Sequence, residues 1–417
     1  MGTLTEEIFS HKLGRPVHAG ETIVVEVDHV MSHDTTTPLA IEAFQKLADQ
    51  TGGKVFDRSR SHLIFDHIIP AATIQAAGLH CQTRNFAREQ GLEILQQGIC
   101  HQVMPEMGFV TPGAVIVGAD SHSCSYGAFG AFGTGMGSTD IAVAYATGRA
   151  WFRVPETINV HLTGQLQPGV YAKDAALEVV RRVGVDGANY RALEFTGELI
   201  ENFSMSERFT FCNMAIEMGG KAGLIAADET TRAWLTGRTE AKDPMLRVHE
   251  PRYERVFEID ASTLTPQIAC PPDVNNVVPV AEVTSVKLDQ VFLGTCTNGR
   301  LDDLAIAASI LKGRRVHPET RMVIIPASRE IQLEALRLGY IQTFIEAGAS
   351  VGTPGCGPCI GRHFGVLAPG ERALTTMNRN FTGRMGDPTA EIYLGSPATV
   401  AASALTGYIT DPRDYLS

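Results

Sequence analysis

Short apolar runs closed by polar clusters constrain this chain most. Ala114-Val115-Ile116-Val117-Gly118-Ala119 runs into Asp120-Ser121-His122, and Val291-Phe292-Leu293-Gly294 into Thr295-Cys296-Thr297-Asn298. Met322-Val323-Ile324-Ile325 precedes a helical pattern from Glu330 to Leu338. Runs this brief and unbroken suit strands buried on both faces. Asp140 to Phe152 reads as a further helix, after a glycine-rich turn. Strands alternating with helices predict an α/β protein of mostly parallel sheets, with ligands gathering beyond the carboxyl ends of the strands.

The 417 residues leave room for two or three domains at about 150 residues each. Composition changes near Pro155-Glu156 and Ala269-Cys270-Pro271-Pro272, and domains are expected over 1–155, 156–258 and 259–417. A net charge of −11 argues against a nucleic acid as the main partner, since such proteins carry a basic excess. No run is long and apolar enough for a membrane span, and Met1-Gly2-Thr3-Leu4-Thr5-Glu6-Glu7 carries no secretory leader pattern. Eight cysteines in a chain of this length are too sparse for a disulfide scaffold. A reducing, cytoplasmic setting is expected.

Cys356-Gly357-Pro358-Cys359 places two thiols about one turn apart, and Cys296 follows a strand end. Three uses compete. A redox dithiol matches the C-G-P-C letters but not the size of the surrounding fold. A structural zinc site needs a fourth ligand such as His363. An iron–sulfur site needs the pair plus one distant thiolate, leaving one iron without a protein sulfur.

The surrounding residues resemble a known family. Leu293-Gly294-Thr295-Cys296-Thr297-Asn298-Gly299-Arg300, Pro354-Gly355-Cys356-Gly357-Pro358-Cys359 and Asn378-Arg379-Asn380-Phe381-Thr382-Gly383-Arg384 look like signatures of the aconitase superfamily. So do Phe65-Asp66-His67, Gly98-Ile99-Cys100-His101-Gln102 and Gly118-Ala119-Asp120-Ser121-His122-Ser123, all in family order. Ser123 stands where many members have Thr, which keeps the hydroxyl. The likeness is to the short large-subunit type acting on 2-hydroxy acids such as 3-isopropylmalate, homoaconitate or 2,3-dimethylmalate. It implies three α/β/α domains around a [4Fe–4S] cluster held by Cys296, Cys356 and Cys359. Cys81, Cys100, Cys124, Cys212 and Cys270 are then core or bystander residues.

Nine of the thirteen histidines lie at or before His122. His11, His18, His62 and His80 read as packed or surface residues, whereas His67, His101 and His122 sit beside acids or at a strand end. A histidine held by a carboxylate has its tautomer fixed and its pKa raised, so it can donate a proton near neutrality. The resemblance implies three pairs, His67 with Asp66, His101 with Asp120 and His122 with Glu194, and a dehydration in which such a pair protonates the departing hydroxyl. The Asp66/His67 pair is the first candidate for that donor. His33 and Asp34 resemble a further pocket element. Asn378, Arg379 and Arg384 match substrate contacts, with the arginines suited to fork onto carboxylates.

The glycines at 127, 130, 133, 135 and 137 invite a dinucleotide reading, but Gly133-Thr134-Gly135-Met136-Gly137-Ser138 fails G-x-G-x-x-G at its last position. Tight backbone packing, or N–H groups facing a carboxylate before the helix, are the remaining readings. The single-chain members of the family carry the carbon base on a fourth, mobile domain. The expectation here is that a separate small subunit, a swivel domain, brings that base and the loop that selects the substrate.

Overall fold

The computed structural model describes residues 2–241, 243–246 and 248–416. The chain divides into two compact units. One comprises the chain up to Gln96 with Cys100–Leu162 and Asp186–Glu258, the other Gln97–Ile99, Thr163–Val185 and the chain from Ile259 onward.

The first unit is built on a five-stranded parallel sheet in the order Ile94–Leu95, Ser61–Ile64, His29–His33, Val115–Gly118, Phe132–Gly135. The expected strand at 114–119 is its fourth member. Both Ser61–Ile64 and Val115–Gly118 are buried at every position, as strands covered on both faces must be. Phe9, Phe132 and Phe152 pack against one another in its core, with ring centroids 4.6 to 5.6 Å apart. A second sheet carries Ala222–Leu224, Ala192–Thr196 and Thr157–Thr163 in parallel register.

The helix expected over 140–152 is shorter and starts earlier, Ser138–Thr147. Gly148 adopts φ +68° and returns its N–H to the Ala144 carbonyl, which ends the helix in the left-handed cap that glycine favours. The chain then extends as Arg149–Arg153, antiparallel to Thr22–Glu26. The glycine run serves close packing: a Cβ on Gly127 would lie 1.6 Å from the Gly223 carbonyl oxygen.

The second unit holds a seven-stranded sheet, ordered Val277–Pro279, Gln267–Ala269, Glu391–Leu394, Arg372–Thr375, Gln290–Leu293, Arg321–Ile324, Ser350–Val351. Its last five strands are parallel, and Gln267–Ala269 joins them antiparallel. The strands expected near 291 and 322 pair directly, and the expected helix follows as Arg329–Arg337. Among the described residues, no helix is long and apolar enough to cross a membrane.

Candidate functional site

In the first unit the carboxyl ends of His29–His33, Ser61–Ile64 and Val115–Gly118 lead directly into His33-Asp34, Phe65-Asp66-His67 and Ala119-Asp120. Adjacent parallel strands therefore bring these histidines and acids together. His67 Nδ1 lies 2.6 Å from Asp66 Oδ1, and Asp66 Oδ2 accepts from the Cys100 N–H at 2.8 Å. An ionised carboxylate can only accept, so Nδ1 of His67 carries a proton and Nε2 faces outward from the pair. His101 Nε2 stands 2.8 Å from Asp120 Oδ1, while its buried Nδ1 has no hydrogen-bond partner among the described residues. Both of these expected pairs are present in the structure.

The third expected pair is not formed. His122 Nε2 bonds to Glu217 Oε1 at 2.8 Å, not to Glu194. The Glu194 carboxylate instead accepts from Tyr253 Oη at 2.7 Å and from the Leu4 N–H at 2.9 Å, where it fastens the first turn of the helix Leu4–Leu13. Burial raises its pKa, and those two donors only partly oppose the shift. Glu217 was absent from the sequence reading. Its one signal is an acid in the otherwise apolar stretch Met214-Ala215-Ile216-Glu217-Met218 before two glycines.

Asp34 is fully buried and its oxygens are engaged by the protein. Oδ1 accepts from the His67 N–H at 3.1 Å, and Oδ2 from the Ile68 N–H at 2.9 Å and His80 Nε2 at 3.3 Å. It braces the segment that presents His67. His80, read as a packed histidine, is packed on Phe65 at 4.3 Å and is also the third donor to Asp34. His33 stacks on His67 with centroids 3.9 Å apart, and its Nε2 lies 3.2 Å from Asp120 Oδ2.

Burial disfavours charge on all of these imidazoles, and the carboxylates decide the outcome. For His33, Asp120 and Asp34 outweigh burial and raise the pKa to about 10. For His67, burial is likewise outweighed, chiefly by Asp66, and the pKa rises. For His101, burial prevails over Asp120 and the pKa falls. Burial would push Asp120 up, but His101, His122 and His33 hold it well below the usual carboxylate range.

The second unit presents the thiols and arginines. Cys296 follows the strand Gln290–Leu293 through Thr295, a β-branched residue at φ +75°, a strained conformation for that side chain. The buried Arg300 guanidinium donates to the carbonyls of Thr297 and Cys296 and so fixes the turn. Cys356 and Cys359 flank a tight turn in which the Cys359 N–H donates to the Cys356 carbonyl. All three thiols are buried. Asn378 Nδ2 donates to Cys296 Sγ at 3.5 Å, and Arg384 Nη2 to Cys359 Sγ at 3.3 Å. N–H donors aimed at sulfur are what thiolates holding an iron–sulfur cluster need, so the donor set fits such a group. Among the described residues, the groups of three or more metal-ligating side chains with ligand atoms within 4.8 Å of one another are His33–Asp34–Asp66–His67 and His101–Asp120–His122, neither containing a cysteine. Arg384 keeps a buried Nε with no partner among the described residues, and Arg379 is half-buried beside Asn378. The loop bearing Asn378 and Arg379 is held by the buried Lys173, whose Nζ donates to the Thr376 and Met377 carbonyls at 3.0 and 2.5 Å.

The aconitase family model (aconitate hydratase) matches residues 6–407, which makes the chain a hydro-lyase by class. The chain belongs to the aconitase family. It is 51% identical to the probable methanogen homoaconitase large subunit of Methanothermobacter thermautotrophicus, over 98% of this chain and 97% of that one. The 3-isopropylmalate dehydratase large subunit of Moorella thermoacetica is also 51% identical, covering 99% of both chains. Large subunit 1 of the same enzyme from Thermotoga maritima is 50% identical, with equal coverage. The crystal structure of Thermococcus kodakaraensis aconitase X in its holo-form matches 90% of this chain and 89% of that one, with a TM-score of 0.50 at 13% identity, a likeness of fold.

Proposed function

We propose that the chain is the large subunit of a 3-isopropylmalate dehydratase, interconverting 2- and 3-isopropylmalate on the route to leucine by loss and re-addition of water. The observation that carries the reading is the His67–Asp66 pair, a buried imidazole whose pKa is raised and whose Nδ1–H is anchored at 2.6 Å. A raised pKa favours the doubly protonated ring, whose Nε2 proton is offered to a departing hydroxyl, a contribution of roughly 10²–10⁴-fold in rate. Cys296, Cys356 and Cys359 would hold a [4Fe–4S] cluster; bound there, it supplies a Lewis acid for the substrate hydroxyl and the neighbouring carboxylate.

The remaining residues bind, orient and hold protons. Arg379 and Arg384 take substrate carboxylates in fork geometry, with Asn378 between strand end and arginine. His101 holds its single proton toward Asp120, which leaves Nδ1 as an acceptor. Glu217 fixes His122, the role first expected of Glu194. His33, stacked on His67 and 3.2 Å from Asp120, shares in the same charge network. The relatives' designation as large subunits supports a small-subunit partner that brings the base for the carbon-bound proton and the loop that selects the substrate. Free thiols suit a cytoplasmic setting.

The test is anaerobic rebuilding of the full chain with iron and sulfide, followed by assay with its small subunit against isopropylmalate, homocitrate and 2,3-dimethylmalate. A brown protein that turns over isopropylmalate fastest is expected. A colourless protein overturns the ligand assignment. Preference for homocitrate instead establishes the homoaconitase reading, which the 51% identity to the methanogen protein supports.

A further inference from the structure

Within the first unit, a cavity of about 380 Å³ lies where the strand Phe132–Gly135 ends and the helix Ser138–Thr147 begins. That volume is in the range of small-molecule sites. Its walls include Met136, Trp151 and Phe152 as apolar surface, together with Asp140, Tyr190 and Lys221. Trp151 is 60% exposed, so the indole stands at an open side.

Lys221 is the reason to expect an occupant. Its ammonium donates only to the Gly135 carbonyl, at 3.4 Å, and lies 5.5 Å from the Tyr190 ring centroid. It forms no ion pair with any carboxylate among the described residues; burial lowers its pKa, and the Asp140 carboxylate in the same wall opposes the shift only in part. A partly buried ammonium with no directly bonded carboxylate gains from an anionic ligand group that reaches it, Asp140 being near enough to act on its charge but not to pair with it. Tyr190 is held at φ +60°, outside the ordinary range for a bulky residue, and lines the same cavity. The neighbouring helix adds to the attraction: its N-cap is Gly137, with no side-chain cap on the first N–H groups. Asp140 supplies one acceptor in the same wall.

We propose that this cavity binds a small carboxylic acid with an apolar body and a hydrogen-bond donor beside the carboxylate. Lys221 takes the carboxylate, Asp140 the neighbouring hydroxyl or ammonium, and Trp151 with Met136 the apolar body. The site shares a wall with the acid–base network, because Asp120 and Ser121 line it too. A Cβ on Gly135 would lie 2.7 Å from the Asp120 carbonyl oxygen, so the cavity floor rests directly on that backbone. The proposal does not depend on which hydroxy acid the enzyme converts, nor on the cluster.

The experiment titrates the full chain with 2-hydroxyhexanoate, with norleucine and with the neutral 2-hydroxyhexanamide, following indole fluorescence. Saturable quenching by a carboxylate, and at least tenfold weaker binding of the amide, is expected. Lys221→Gln should weaken the carboxylate by about ten- to a hundredfold and leave the amide unchanged. Preference for 2-hydroxyhexanoate identifies the donor as a hydroxyl, preference for norleucine as an ammonium. Equal binding of acid and amide by the unsubstituted chain, no saturation with either acid, or a Lys221→Gln chain that binds the acid as before overturns the proposal. The first two comparisons need no variant, so they stand even if the substituted chain folds poorly.

Discussion

Two strands of the first unit carry imidazoles at both ends, and the ends differ in charge. At and just beyond their carboxyl ends stand His33 and His67, whose pKa values the surrounding carboxylates raise. At the other end His29 Nδ1 meets His62 Nε2 at 2.9 Å, with His62 stacked on Phe109 at 4.1 Å. Burial lowers the pKa of His29 to about 4, with Asp28 opposing only in part, and that of His62 to about 3, where the neighbouring His29 adds to the effect. A hydrogen bond between two neutral rings needs one donor and one acceptor nitrogen, so a proton on both rings breaks it.

The pair therefore makes stability depend on pH in a definite direction. Both folded values lie below the ordinary value of 6.5, so the unfolded chain binds protons that the folded chain refuses. Stability is present above that value and is lost as pH falls toward the folded ones. Between about pH 7.5 and about pH 5.5 each unfolded imidazole gains nearly a full proton, a loss of about 1.4 kcal/mol apiece and about 3 kcal/mol for the two. His33 and His67 act with the opposite sign, since their pKa values are raised and their stabilisation grows as pH falls toward the ordinary value. Total stability thus conceals the pair, and the informative quantity is a difference. Urea denaturation of the parent chain and of a His29→Gln/His62→Phe double variant, at both pH values, isolates it. The parent should lose about 3 kcal/mol more than the variant over that interval. Equal losses in the two would falsify the neutral-pair reading, whatever the variant's absolute stability.

Two further substitutions test the site directly. Glu217→Gln should lower kcat by about a hundredfold or more with the fold intact, whereas Glu194→Gln should leave kcat near its starting value and lower stability by about 1–3 kcal/mol; the reverse pattern restores Glu194 as the partner of His122. Cys356→Ser should abolish colour and turnover together in the rebuilt enzyme, checked by iron and sulfide content, and a variant retaining both removes Cys356 from the ligand set.

Local patterns carried much of this fold. The runs at 114–119 and 291–294 contain only residues that a doubly covered strand accepts, and each becomes a buried strand. The family resemblance implied the pairs: Asp66 and His67 are sequence neighbours, and His101 and Asp120 stand 19 positions apart. The His122 partner lay beyond such reasoning. Glu217 is 95 positions away and Glu194 is 72, and nothing local distinguishes an acid that closes a helix end from one that reaches an imidazole. Lys173, 204 positions from the Met377 carbonyl it holds, was invisible for the same reason. The helix expected through Phe152 failed on one residue, Gly148, whose positive φ turns the chain into a strand.

Asp120 gives the network its collective character. One oxygen meets His101 Nε2 and the His122 N–H, and the other lies 3.2 Å from His33 Nε2 and 3.7 Å from His67 Nε2. The second contact to His67 is too long for a hydrogen bond and acts through charge alone. His33 and His67 stack at 3.9 Å, and each charge penalises the other. Asp34, Asp66 and Asp120 surround the stack with three carboxylates, which favour charge on both rings against that mutual repulsion. Removing any one of these acids lowers the proton affinity of the stack as a whole, not of a single ring. The pH dependence of turnover therefore reports macroscopic values belonging to the whole group, and an alkaline limb moved to lower pH in an Asp34→Asn variant identifies a change in that group, although Asp34 itself is buried.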